Sequence, residues 1–182
     1  MNSSMIDPIC RHCQDERETK LHGGLLFLFR ENDKKYWEDA MEEAFHIRNY
    51  SYEVIGYDWH GRILAVTENS DKLIAFDPAS DAVLDFGVCY ECLDNLICSI
   101  DDPFDIEDYS VWKQEHGEVT YGDCVSFIIP FYLNGENSFS NMQYMSLALY
   151  WNLSTQIAVQ VRDLPEGTVI ERFSIEEPLE DD

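Results

Sequence analysis

Positive charge is scarce in this sequence. Twelve Lys and Arg face 36 Asp and Glu among 182 residues, for a net charge of −24 and a pI near 4.2. A nucleic-acid binder needs clustered cations to neutralise phosphates, and an electrostatic grip on anionic lipid needs the same. The composition argues against both. Long apolar runs are missing too. The longest in the first half is Leu25–Phe29, far short of the roughly 20 residues that span a bilayer. Met1–Asp15 is polar, without the apolar stretch of a secretory signal, so the expected location is cytoplasmic. The phosphate-cradling patterns G-x-x-x-x-G-K-[ST] and G-x-G-x-x-G are absent, as are G-x-S-x-G and H-E-x-x-H. No cofactor is implied. The partners left open are cations, basic proteins and small molecules.

What is present suffices for a core. Apolar residues make up 45% and aromatics 13% of the chain, so wholesale disorder is not expected. The length suits one domain. The acid is unevenly placed: residues 1–30 hold four basic and four acidic side chains, 31–93 hold five and 14, and 94–182 hold three and 18.

Periodicity divides the chain. Residues 1–22 read as an N-terminal segment with a short helix at 8–19. Gly23-Gly24 is a turn, and Leu25–Arg30 reads as a buried strand. Apolar residues at Tyr36, Trp37, Ala40, Met41, Ala44 and Phe45 trace one face of a helix over 33–47. Then the period falls from 3.6 to 2. Tyr50–Trp59, Ile63–Glu68, Lys72–Asp77 and Ala82–Phe86 read as short strands separated by turn residues, an antiparallel meander. Helices follow at 89–100 and from Pro103 to about 115, then strands at Asp123–Pro130 and Phe131–Leu133. Ser146 is placed to cap a helix ending near Leu164-Pro165, before a last strand at Val169–Ile175 and a frayed acidic tail over 176–182. The expected fold is one α+β domain over 23–175, mainly an antiparallel sheet with flanking helices.

Three segments carry a resemblance. The first is Gly56-Tyr57-Asp58-Trp59-His60-Gly61-Arg62, followed by the turn at Asp77-Pro78. The second runs from Gly122-Asp123-Cys124-Val125 through Ile129-Pro130 to Leu133-Asn134-Gly135. The third is Leu149-Tyr150-Trp151, then Gln156 and Leu164-Pro165-Glu166-Gly167-Thr168. In order and spacing, from Gly23 to Ile175, they resemble the C-terminal domain of type VI secretion system immunity proteins paired with DNase effectors. The resemblance implies an immunity protein that binds and neutralises a cognate toxin, and no enzymatic activity. The same residues have structural readings. Gly56 and Gly61 permit close approach or positive φ. Tyr57 and Trp59 alternate with Asp58, so one set should be core and the other exposed. Asp58 and Arg62 can pair across the hairpin. Tyr150 and Trp151 anchor a helix, and Pro165 and Gly167 turn the chain into the last strand.

A nuclease cleft that binds phosphate is positive, so an acidic inhibitor can fill it in place of DNA. The densest acidic stretch is Asp101, Asp102, Asp105, Glu107 and Asp108, beside Phe104, Tyr109 and Trp112. These eight residues are the candidate partner surface, with the aromatics as anchors. The stretch lacks the central Gly and terminal Glu of a calcium loop, and acids at a helix start also suit the helix dipole. The five histidines, at 12, 22, 46, 60 and 116, share no ligand spacing; His46 should be half-buried and His60 exposed in its turn.

A second class of function rests on two C-x-x-C pairs, Cys10/Cys13 and Cys89/Cys92, which could supply four thiolates to one zinc. The pairs lie 76 residues apart and lack flanking glycines, so plain thiols on helices explain them as well. A thioredoxin-like site is not expected, since neither pair falls at a strand-to-helix junction of a βαβ pattern. A third reading is a non-catalytic regulatory or scaffold protein on the same fold.

Overall fold

The computed structural model describes residues 19–45, 51–97, 101–165 and 167–176. Six strands pair in chain order as one antiparallel sheet: β1 (Lys20–Leu21), β2 (Leu26–Leu28), β3 (Tyr52–Asp58), β4 (Ile63–Thr67), β5 (Lys72–Asp77) and β6 (Ala82–Cys89). A second, two-stranded sheet joins β7 (Asp123–Phe127) to β8 (Met142–Ser146). Four helices flank them: α1 (Glu31–Phe45), α2 (Leu93–Ile97), α3 (Ile106–His116) and α4 (Leu147–Val161). This is the expected α+β meander. The sheets are tied where the Val125 N–H donates to the Trp59 carbonyl at 2.7 Å.

The turns form where the side chains supply local acceptors. Asp77 Oδ1 accepts from the Ala79 N–H at 2.9 Å, and Thr67 Oγ1 from the Lys72 N–H at 3.2 Å. Strand β2 comes so close to β3 that a Cβ on Gly56 would sit 2.0 Å from the Phe27 carbonyl oxygen, which is why that position is glycine. Ser146 caps α4, its Oγ accepting from the Leu149 N–H at 3.2 Å.

Both faces of the sheet are covered. On one, Phe29 stacks on Trp37 of α1 at 5.5 Å, and Phe45 of α1 meets Phe76 at 5.3 Å and Trp151 of α4 at 6.0 Å. On the other, Phe86 meets Phe104, which leads into α3, at 5.4 Å. Covering both faces corrects one expectation. Tyr57, Asp58 and Trp59 do not alternate between core and solvent; all three are completely buried, because an inner strand between two helical layers has no outer face. The edge strand β6 does alternate, with Val83, Asp85 and Gly87 exposed.

Other differences are local. The helix expected over 89–100 is a 3-10 turn at Tyr90–Cys92 followed by the five residues of α2, and residues 98–100 lie outside the described segments. Phe131–Leu133 is a 3-10 turn, not a strand. Residues 169–175 form no regular secondary structure and join no sheet. Instead the Gln160 amide donates to the Ser174 carbonyl at 2.8 Å and accepts from its N–H at 3.0 Å. Gln156 repeats the pattern on Glu176, at 3.0 and 2.7 Å. Two glutamines one helical turn apart thus satisfy backbone groups that a neighbouring strand would otherwise pair. The helix expected at 8–19, His46 and the tail from 177 onward fall outside the described residues, save Thr19.

Candidate partner-binding surface and the motif that supports it

The Gly56–Arg62 segment is a junction. Asp58 has no exposed surface, yet its carboxylate is fully engaged. Oδ1 accepts from the His60 and Arg62 N–H groups at 3.1 and 3.0 Å, and Oδ2 from Arg62 Nε at 2.5 Å. The expected pairing of Asp58 and Arg62 is therefore present. Burial pushes the Asp58 carboxyl up, against the pull of Arg62. Desolvation pulls Arg62 down, but Asp58 and Asp105 together outweigh it and the net shift is upward.

Each neighbour in the motif reaches a different element. Trp59 Nε1 donates to the Phe104 carbonyl at 2.8 Å, and Trp59 packs on Tyr109 of α3 at 5.2 Å. The Tyr57 hydroxyl accepts from the Gly122 N–H at 2.6 Å. The Gly61 carbonyl accepts from Trp151 Nε1 of α4 at 2.8 Å, while Gly61 itself holds φ of +80°. His60 is 4% exposed, which corrects the expectation of an exposed turn residue. Its ring stacks on Phe127 at 4.9 Å, and Nδ1 meets the Val125 carbonyl at 3.1 Å. Loss of solvation, reinforced by Arg62, lowers its pKa to about 3. Tyr150 and Trp151 are buried and do anchor α4. Pro165 and Gly167 form an exposed turn, the Thr168 N–H donating to the Pro165 carbonyl at 3.1 Å, and lead into the Gln-held segment.

The acidic stretch divides by task. The Asp102 carboxylate accepts from the Ile106 N–H at 2.8 and 3.0 Å and so caps α3. Asp105 receives Arg62 at 3.4 Å. Asp101 and Glu107 are exposed and Asp108 half-buried, and none of the three forms an ion pair among the described residues. The three aromatics are corrected outright as surface anchors: Phe104, Tyr109 and Trp112 are 0, 4 and 4% exposed. In α3, Tyr109 and Trp112 are three residues apart on the inner face, and the core claims them. Glu42 and Glu43 are also exposed, but on α1, which covers the other face of the sheet.

A separate cleft of about 760 Å³ opens between the Leu164–Thr168 turn, Tyr132–Asn134 and the Ser80-Asp81 turn. The Arg162 guanidinium at its rim binds the Asp81 carboxylate at 2.8 and 2.6 Å and the Ala44 carbonyl at 2.9 Å. These contacts join the ends of α4 and α1 to the β5–β6 turn. No sequence spacing signals this clamp, since Asp81 and Arg162 are 81 residues apart.

Among the described residues no group of three or more His, Cys, Asp or Glu side chains is able to hold a metal ion. Cys10 and Cys13 lie outside them. Cys89 ends β6 and Cys92 lies in the turn that leads into α2. The pair thus sits where a strand leads into a helix, but β6 belongs to an antiparallel meander and not to a βαβ unit. No described helix is long and apolar enough to cross a membrane.

No protein-family model and no curated protein matches this chain. Among solved structures, the crystal structure of Atu4351 from Agrobacterium tumefaciens is similar, with a TM-score of 0.52 over 74% of this chain and 68% of that one, at 15% identity. At that identity the likeness is one of fold.

Proposed function

We propose that this chain is a cytoplasmic immunity protein, a non-catalytic binder that occludes a cognate type VI secretion effector, a basic nuclease toxin. The observation that supports this reading is the set of carboxylates that have no cationic partner among the described residues, Asp101, Glu107 and Asp108 at and just before the start of α3, on a chain of net charge −24. Such a field accelerates encounter with a positive cleft and disfavours acidic competitors. The motif residues support it indirectly. They are spent on holding β3, α3, β7 and α4 together, which leaves recognition to the outer surface.

Co-expression with a candidate nuclease effector, sought among the neighbouring genes, tests the reading. Protection of the cell and co-purification of the two proteins are expected. Charge reversal by Asp101→Lys, Glu107→Lys and Asp108→Lys should slow association roughly tenfold at low salt and far less at high salt. Failure of the unaltered chain either to protect or to bind would overturn the proposal.

A further inference from the structure

Cys89 and Cys92 have no role in the reading above, yet their thiols are placed for chemistry. Both are half-exposed, and their Sγ atoms lie 2.9 Å apart. A disulfide needs about 2.05 Å, so closure requires a movement of under about 1 Å. Cys124 differs: it is buried among apolar side chains, and burial drives its thiol pKa well up, the setting of an inert structural thiol.

We propose that Cys89 and Cys92 are a redox-active pair that closes reversibly to a disulfide by exchange with a small-molecule disulfide. The two thiols share a hydrogen bond, which pushes the Cys92 thiol up, and exchange begins at one of the pair, here Cys89. Its thiolate attacks one sulfur of the oxidant, breaking the oxidant's S–S bond and releasing one thiolate. Cys92, giving up its proton, then attacks Cys89 Sγ in the mixed disulfide and expels the second thiolate. Two protein thiols are oxidised, one disulfide is reduced, and the two protein protons pass to the released thiolates or to water.

The bond would tie the last residue of β6 to the turn entering α2, at a point already fixed by other contacts. Cys89 pairs with Lys72 of β5, the Tyr90 N–H donates to the Asp71 carbonyl at 3.0 Å, and Leu93 and Ile97 are buried. Because the surroundings are set, closure needs no refolding.

The test equilibrates the folded, full-length chain with mixtures of reduced and oxidised glutathione, followed by acid quench and mass spectrometry. The expected product is a chain about 2 Da lighter at the oxidising end, restored by the reduced form. Cleavage after Glu91 separates the two cysteines, so the bond should appear as two peptides that part on reduction. Cys92→Ser should instead accumulate glutathione on Cys89. The proposal is overturned if both thiols stay free at saturating oxidant, if both carry glutathione without closing, or if either is joined to Cys10, Cys13 or Cys98. It is also overturned if the purified chain holds one zinc through these thiols and resists the oxidant.

Discussion

Arg62 Nε lies 2.5 Å from Oδ2 of Asp58, a carboxylate with no solvent-exposed surface. The pair sits at the tip of the β3–β4 hairpin, and a second acid, Asp105, shares the guanidinium from the start of α3. Removing one partner strands the other in the core. Arg62→Met should cost about 3–5 kcal/mol in urea unfolding, whereas joint Asp58→Asn and Arg62→Met should cost distinctly less, because the fully buried carboxylate is then gone and Asp105, which also loses Arg62, keeps part of its surface in water. Equal losses in the single and double variants would show that packing around the guanidinium matters more than its charge.

His60 makes stability depend on pH. Its folded pKa, near 3, lies below the ordinary 6.5, so the unfolded chain binds the proton more readily. The stabilisation is fully present above pH 6.5 and is lost as pH falls toward 3, by at most about 1.4 kcal/mol per unit. Carboxylates also titrate in the lower part of this window. The informative quantity is therefore the difference between the unaltered chain and His60→Gln: the slope of the urea midpoint between pH 6.5 and 5 should flatten in the variant.

Glycines at 56 and 61 should respond differently to alanine. At 56 the new Cβ meets backbone, 2.0 Å from the Phe27 oxygen, so β2 must shift and about 3 kcal/mol should be lost. At 61 the nearest atoms belong to side chains and not to backbone, Cys124 Sγ at 3.0 Å and Leu147 Cδ1 and Tyr150 Cδ1 at 3.1 Å. There the positive φ sets the cost, about 1–2 kcal/mol. Thermal unfolding of the two variants checks the order.

The Gln-held segment should detach without unfolding the domain. In Gln156→Ala with Gln160→Ala, the amides of Ser174 and Glu176 should exchange hydrogen at rates near those of free peptide. Global stability should fall by no more than about 1 kcal/mol, since the lost bonds are solvent-exposed. Hydrogen exchange read by NMR separates the two effects.

The meander was legible because its strands are short, adjacent and punctuated by Asn, Asp, Gly and Pro. The long helices α1 and α4 announce themselves by an apolar face. The candidate surface was less legible. Dense acid beside aromatics looks alike whether the aromatics face in or out, and only the packing of Trp59 on Tyr109 and of Phe86 on Phe104 turns them inward. His60 resembles a turn residue until β7 folds over it. The Arg162–Asp81 clamp and the backbone-binding glutamines join distant segments through side chains that are ordinary on a helix surface. The resemblance picked out residues of the hairpin that prove central to packing, while which carboxylates are spent on caps and pairs emerged only from the geometry.

Gln156 and Gln160 hold the main chain at 174 and 176 and make no demand on the side chains there beyond an N–H to donate. Proline at either position would break the grip; any other residue would leave those bonds available. The segment can therefore drift in sequence, acquire or shed charge, or carry an appended peptide while keeping its course along α4. This makes it the natural place to fuse a reporter without disturbing the acidic surface at the start of α3.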